Sequence, residues 1–321
     1  MRPMVTARST HRGTTHPFGP LTVVVDAAAG AGGVGRRLDH VRRAVAATGL
    51  AHEIVVASDG DEVPGIARAT FEAGNRFIAV AGDDRSVQDV IDGAFDDGTT
   101  IVERPVIAVI PAGGVCDLTR SFGLPDDVDG AVSHLRDEAT YALDVMKVST
   151  TVDDGRAVRY GHNMVQVGFR AAVAGATSAI APGDGRVRRF TAFWRTYARW
   201  RSRSVTLHVD ARSHRFAAWD VVVANGQFVD GGQRLSPRSY PGDGVIDALA
   251  FVGPKADAYR MLPRIFMNGG HLPDPGVKEL RAKIRVTVEP ERPWPVVVDG
   301  RRFGSTPVTV QVVPQQVLLK L

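Results

Sequence analysis

Leu21-Thr22-Val23-Val24-Val25-Asp26-Ala27-Ala28-Ala29-Gly30-Ala31-Gly32-Gly33-Val34-Gly35 is the stretch on which the fold turns. Its first five residues form a continuous, mostly β-branched run, the pattern of a strand buried on both faces of a parallel sheet. A Gly-rich loop follows, and then Leu38, Val41, Val45 and Ala46 recur at helical spacing. The same alternation continues outward. Strands are expected over 53–57, 77–81 and 106–110, the last stopped by Pro111. Helices are expected over 63–73, ending at Gly74, and over 87–95. Strand and helix in strict alternation predict a doubly wound parallel sheet. Such sheets bind ligands in the loops at the carboxyl ends of their strands.

The texture changes near residue 143. Short alternating runs follow at 164–167, 205–209, 219–224, 248–252, 284–288, 296–298 and 308–312, separated by Gly, Pro, Asn and Asp turns. That is the signature of an antiparallel sandwich or barrel. Two helical stretches interrupt it, around 187–201 and 256–267. Residues 1–17 are polar and aperiodic and are expected to be a disordered leader. The last strand, 317–321, either stays with the second half or packs back on the first domain.

The chain has 321 residues, 44% hydrophobic and 23% charged, with a formal net charge of +4. At roughly 150 residues per domain this fits two domains, each able to hold a core. Disorder as the main state is excluded by the apolar content. No run of about 18 apolar residues predicts a membrane-spanning helix, and residues 1–17 lack the apolar core of a secretory signal. The expected compartment is the cytoplasm. Cys116 is the single cysteine, which excludes an intramolecular disulfide and a cysteine-based zinc site. Basic residues are almost all arginine, with lysine only at 147, 255, 278, 283 and 320. Bulk charge is therefore a weak argument for nucleic acid, and no nucleic-acid partner is expected.

Gly30, Gly32 and Gly35 match G-x-G-x-x-G between a strand and a helix, with Asp59 in place for a ribose-binding acid. Against a dinucleotide site stand the four residues between strand and first glycine and the missing second set of βαβ units. A broader reading is an anion site, because backbone N–H groups and the helix dipole face such a loop. A plain βα loop is the third.

Further loops follow in order: Gly82-Asp83-Asp84-Arg85-Ser86, Gly113-Gly114-Val115-Cys116-Asp117, Asn225-Gly226, Gly231-Gly232, Asp243-Gly244-Val245-Ile246-Asp247 and Asp299-Gly300-Arg301. Together, over about residues 20–321, they resemble the diacylglycerol kinase catalytic-domain family, which includes sphingosine kinases and bacterial lipid kinases. Its motifs read NPxSG, GGDGT, GTxND, DGLLD and DGE. NPxSG falls on residues 26–30, where only Gly30 remains. GGDGT falls on 82–86, keeping Gly82 and Asp84, with Ser86 retaining the hydroxyl and glycines lost to Asp83 and Arg85. GTxND falls on 113–117, keeping Gly113 and Asp117. DGLLD keeps its character at 243–247, and DGE becomes Asp299-Gly300-Arg301.

The resemblance implies an α/β plus all-β chain. An N-terminal doubly wound parallel-sheet nucleotide-binding domain, 18–142, precedes an antiparallel β-sandwich domain, 143–321. The family's active site lies in a cleft between such domains. The implied activity is ATP-dependent phosphorylation of a lipid alcohol such as diacylglycerol; the alternative is a degenerate relative that binds nucleotide or lipid without transfer. ATP is expected against Gly30, Gly82, Arg85, Ser86, Gly113, Gly114 and Asp117. Mg²⁺ is expected on Asp84, Asp243 and Asp247, since it favours carboxylates, water and phosphates. Asp299 resembles the general base, with Asp84 as the second catalytic carboxylate. Phosphoryl transfer relies on positioning and charge neutralisation. Asp83 adds negative charge where triphosphate belongs, whereas Arg85 offers a phosphate fork. Arg301 either removes a metal-network carboxylate or contacts phosphate. Without the resemblance, Asp243 and Asp247 read as an ordinary turn before a strand.

The segment 186–203 has its own signal. Phe190, Phe193, Trp194, Tyr197 and Trp200 gather on one side of a helical wheel, and Arg188, Arg195, Arg199 and Arg203 on the other. Such a helix either lies on an anionic membrane surface as a peripheral contact or packs its aromatics on the sandwich. Histidines 134, 162, 208, 214 and 271 show no ligand spacing and read as structural or solvent-facing. Cys116 reads as a small buried residue or as a thiol activated at a helix N-terminus. The oligomeric state is open, a dimer among the options.

Overall fold

The computed structural model describes residues 7–96, 98–113, 116–152, 155–180, 185–256 and 269–321. Gly114 and all but the first residue of the helix expected over 256–267 fall outside them. The chain forms two compact units, residues 1–144 with 314–321, and 145–313.

The first unit contains β1 (Ala7–His11), β2 (Leu21–Asp26), α1 (Ala29–Arg36), α2 (Leu38–Ala47), β3 (His52–Ala57), α3 (Val63–Glu72), β4 (Phe77–Ala81) and α4 (Asp84–Gly93). A short pair, β5 (Phe95–Asp96) and β6 (Thr99–Thr100), leads to β7 (Val106–Ile110), α5 (Asp117–Phe122) and α6 (Val128–Ser133). The sheet order is β1-β3-β2-β4-β7, with all pairings parallel except β1 on β3. Every residue of β2, β4 and β7 is buried, so these strands read as unbroken apolar runs. One face packs under Val34, Val41, Val45, Val128 and Val132 of α1, α2 and α6. Helices α3 and α4 pack on each other and lie against β2, β3 and β4. Because β3 and β4 flank β2 on opposite sides, the order reverses at β2, the topological switch point of a doubly wound sheet.

The leader was expected to be disordered, yet residues 7–11 form β1 on the edge of the sheet, in register from Ala7↔Val56 to His11↔His52. An edge strand needs only backbone pairing on one side, so its exposed polar side chains hide it from periodicity.

The second strand-rich half opens with β8 (Thr140–Val152), β9 (Gly155–Gly161) and β10 (Met164–Gly168), then α7 (Phe169–Ala179) and α8 (Gly185–Arg199). It continues with β11 (Arg203–Val209), β12 (Arg212–Ala224), β13 (Phe228–Val229), β14 (Gln233–Arg234), β15 (Ile246–Val252), β16 (Val277–Ala282), β17 (Arg285–Pro290), β18 (Pro295–Val298), β19 (Arg301–Ser305) and β20 (Val308–Lys320). All pairings described within residues 145–313 are antiparallel, and β12 is the hub. Its first half pairs with β11, and its second half with β10 and β15, across a bulge near Trp219. Alternate residues feed two cores. Val165, Val167, Val221, Val223, Trp294 and Val296 enter one, and Met164, Trp219, Val222, Leu249 and Phe251 the other. Residues 314–321 belong to the first unit, where Leu318 and Leu319 pair in parallel with Val106 and Ile107 of β7.

Candidate functional site

At the switch point, Asp26 ends β2 and is buried. Its Oδ1 accepts the N–H groups of Ala28 (3.1 Å) and Ala29 (3.2 Å), and its Oδ2 accepts the Ser86 hydroxyl at 2.7 Å. Sequence reasoning quoted Asp26 within a motif but gave it no role; its place as the last residue of a buried strand was the available signal. Gly82 follows the neighbouring β4. A Cβ there would stand 2.3 Å from Ser86 Oγ, so only glycine lets Ser86 reach Asp26. Asp83 caps α4, accepting from Arg85 N–H (3.1 Å) and Ser86 N–H (3.3 Å), while its own N–H donates to Ser86 Oγ at 3.3 Å. The Arg85 side chain is exposed.

The loops after β2 and β7 meet backbone to backbone. Gly30, Ala31 and Gly32 form a left-handed run with φ of 59°, 55° and 78°. A Cβ on Gly30 would lie 2.0 Å from the Gly113 carbonyl oxygen, and one on Gly113 2.8 Å from Val34 Cγ2. The two glycines are needed for this close approach as well as for the positive φ at Gly30.

Asp84 was expected to hold Mg²⁺. Its carboxylate instead accepts Asp117 N–H (2.9 Å) and Leu118 N–H (3.1 Å) at the start of α5, and Cys116 Sγ donates to it at 3.0 Å. It ties α4 to α5 and places Asp117, which is buried. Burial, with the Asp84 charge adding to it, pushes the Cys116 thiol well above its ordinary value, so the activated-thiol reading is corrected. Asp59, the candidate ribose acid, accepts Asp61 N–H at 3.2 Å and caps a 3₁₀ turn over Gly60–Glu62.

One pattern unites these contacts. Helices α1, α4 and α5 each begin at the carboxyl end of a parallel strand, and each has leading N–H groups bonded to an aspartate of the same unit: Asp26, Asp83 and Asp84. The N–H groups of Ala28, Ala29, Arg85, Ser86, Asp117 and Leu118 are therefore engaged internally, and three carboxylates gather at these helix starts.

The remaining expected residues lie in the second unit. Asp299, with φ of 43°, accepts N–H bonds from His162 (2.7 Å), Asn163 (3.2 Å) and Met164 (2.6 Å), and His162 Nδ1 lies 3.1 Å from it. Both side chains are fully buried. Burial alone would raise the carboxyl; the His162 charge and these hydrogen bonds outweigh it and hold Asp299 below the usual carboxylate range. A sealed, stabilised carboxylate is a weak proton acceptor, which weighs against its expected use as a general base. His162 is neither solvent-facing nor isolated. Nothing in its spacing revealed the partnership, because Asp299 is distant in sequence.

Asp243 and Asp247 come together, but on Arg281. Arg281 Nε donates to Asp247 at 2.9 Å and Nη2 to Asp243 at 3.3 Å; Ser239 Oγ donates to Asp247 at 2.7 Å. One guanidinium thus engages both carboxylates expected to hold Mg²⁺ and offsets one of their two charges. Among the described residues no three His, Cys, Asp or Glu side chains group as a metal site. No described helix is long and apolar enough to cross a membrane.

Residues 20–148 match the family described as diacylglycerol kinase catalytic domain, and residues 163–320 match the YegS C-terminal NAD kinase beta sandwich-like domain. No curated protein matches by sequence. Among solved structures, a provisionally assigned diacylglycerol kinase from Bacillus anthracis str. Sterne superimposes with a TM-score of 0.73 at 18% identity, covering 94% of this chain and 97% of that one. A further structure described as a diacylglycerol kinase from the same organism gives 0.67 at 17% identity, covering 94% and 96%. At this identity the structural likeness shows the fold alone. The two sequence matches, an α/β catalytic domain followed by the family's β-sandwich, place the chain in the diacylglycerol kinase catalytic-domain family.

Proposed function

We propose that the chain is an ATP-dependent lipid kinase that moves the γ-phosphate to the hydroxyl of a lipid alcohol such as diacylglycerol. Family membership points to phosphotransfer. The observation that carries the nucleotide reading is the gathering of Gly30, Gly82 and Gly113 at the carboxyl ends of three adjacent parallel strands around the switch point. The Gly30–Gly113 contact sets the loop beside Gly82–Ser86, and exposed Arg85 is the cation nearest this turn in sequence. ATP is a co-substrate on this reading, and Asp84 and Asp117 position loops rather than bind metal.

A second reading, a relative that binds nucleotide or lipid without transfer, is favoured by Asp299, whose carboxylate is sealed by three N–H groups and His162. The discriminating experiment pairs thermal unfolding with ATP, with and without Mg²⁺, and transfer of labelled γ-phosphate to lipid alcohols in mixed micelles. A ligand at 100 times its dissociation constant adds about 2.7 kcal/mol. A Mg²⁺-dependent stabilisation with label in the lipid is the expected result. Stabilisation without label across the lipid alcohols supports the second reading. Neither stabilisation nor label overturns both for nucleotide.

A further inference from the structure

His11 and His52 face each other at the edge of the first unit's sheet. They are the last pair of the β1–β3 register, and their rings stack with centroids 5.0 Å apart and planes 23° from parallel. Backbone contacts fix the chain on both sides of the pair. Just beyond β1, Thr14 N–H donates to the Gly49 carbonyl and Ala51 N–H to the Thr14 carbonyl, each at 2.9 Å. Gly13 passes so close that a Cβ on it would stand 2.3 Å from the Gly49 carbonyl oxygen. The segment that carries His11 is thus tied to the turn that leads into His52. Side chains alternate along a strand, so Arg8, Thr10 and Glu53 lie on the other face, where Arg8 Nη1 pairs with Glu53 Oε1 at 3.5 Å.

The imidazoles are set up as ligands. His52 is buried, and its Nδ1 lies 2.8 Å from the Leu50 carbonyl oxygen. A carbonyl only accepts, so Nδ1 carries the proton and Nε2 presents its lone pair, the orientation that a metal-ligating histidine takes from an outer partner. Burial holds His52 below the ordinary imidazole value; the Leu50 hydrogen bond opposes this and the His11 charge adds to it. Neutral imidazole is the form that binds metal. The His11 ring is exposed and has no hydrogen-bond partner among the described residues.

We propose that His11 and His52 form a two-imidazole site for a divalent transition ion such as Zn²⁺, which clips β1 to β3. Imidazole suits Zn²⁺, Ni²⁺ and Cu²⁺, whereas Mg²⁺ prefers oxygen ligands, so this ion is distinct from any Mg²⁺ of phosphotransfer. Two nitrogens on one tetrahedral ion stand about 3.3 Å apart, a separation that rings centred 5.0 Å apart reach by turning towards each other. The described residues group no third His, Cys, Asp or Glu with the pair, so water completes the shell. The consequence is local. An edge strand paired on one side opens at low cost. An ion that binds only the paired form holds it closed by mass action. The inference stands on β1 and β3 alone and not on the phosphotransfer reading.

The test is calorimetric titration of the full chain with Zn²⁺, after removal of metal by a chelator and dialysis, without nucleotide or lipid. One site per chain is expected to be tighter than any other. His11→Ala and His52→Asn should each weaken it at least about tenfold, because each leaves one imidazole without its chelating partner. Asparagine at 52 keeps a donor for the Leu50 carbonyl and removes Nε2. His11 is exposed, so His11→Ala should unfold near the parent's temperature in the absence of metal. His208→Ala, at an exposed imidazole that pairs with Glu289, should bind as the parent does. Amide exchange over residues 7–11 should slow with Zn²⁺ in the parent and in neither variant of the pair. Cu²⁺ in place of Zn²⁺ should show two ligating nitrogens by electron paramagnetic resonance, and one in each of those variants. The proposal is overturned by no saturable binding, by binding that His208→Ala abolishes or that neither His11→Ala nor His52→Asn weakens, or by residues 7–11 exchanging as fast with Zn²⁺ as without it. None of these outcomes touches the kinase reading, which is scored on labelled lipid.

Discussion

At Asp299 three N–H groups and an imidazole converge on one fully buried carboxylate. Replacing it by asparagine keeps the shape, removes the charge and turns an NH₂ towards donors that need an acceptor. Asp299→Asn should cost about 2–4 kcal/mol, the scale of breaking a buried charged hydrogen-bond network. The pH dependence follows. The folded carboxyl lies below its ordinary value, so its contribution is present above the unfolded value of about 4 and is lost as pH falls through the folded one. Asp220 behaves oppositely. Burial raises its carboxyl, the Arg170 charge opposes this, and the balance stands at about 6. Its contribution is lost as pH rises from about 4 to 6, and it cancels from the difference between parent and variant. Unfolding curves at pH 7, 5, 4 and 3 should show the two proteins converging as pH falls below about 4. A gap that stays constant with pH would refute the account of Asp299 as an ionised pin.

Helix α4 carries the sharpest departure from the family's pattern. Its first N–H groups are capped by Asp83, where the motif has glycine. Asp83→Gly should cost only a few tenths of a kcal/mol in helix stability, yet it removes a charge and opens the donors of Arg85 and Ser86 to phosphate. ATP or inorganic pyrophosphate should then bind several-fold more tightly by calorimetry. Unchanged or weaker binding would show that Asp83 does not screen the loop. The same helix shows what the sequence made legible. Its apolar positions at 87, 90 and 91 predicted the body, but its start at Asp84 depends on a reciprocal Asp83–Ser86 cap. The strands β2, β4 and β7 were legible because burial on both faces leaves nearly unbroken apolar runs, and β3 because Ile54–Ala57 is such a run within it. Strand β16, Val-Lys-Glu-Leu-Arg-Ala, was not, because it has one partner among the described residues and only its end residues, Val277 and Ala282, are buried, so neither face shows an alternating pattern. Helix α7, largely small residues after Phe169, gives periodicity little to register.

Across the whole chain, the α/β unit and its glycine loops were readable, while the partners of the acidic residues were not. Asp26 finds Ser86, Asp84 finds Asp117 and Leu118, Asp247 finds Arg281, and Asp299 finds His162, each through tertiary contacts that no local spacing encodes. The last strand belongs to the same class. Residues 314–321 complete the first unit: Leu318 N–H donates to the Pro105 carbonyl (2.9 Å), Leu321 N–H to Ala139 (3.1 Å) and Gln315 N–H to Asp144 Oδ1 (3.0 Å). Val317 and Leu319 are fully buried and Leu318 nearly so. Burying three such aliphatics is worth about 1.5–3 kcal/mol each, which together approaches the 5–15 kcal/mol total stability typical of a domain. A chain ending at Val313 should therefore lose the first unit selectively. Hydrogen exchange should rise across β4 and β7, while β10, β12 and β15 stay protected, because their pairings involve none of the removed residues. Equal loss of protection in both sets would mean that the two units unfold as one cooperative body. Unchanged protection in β7 would mean that the removed strand contributes little to the sheet it borders.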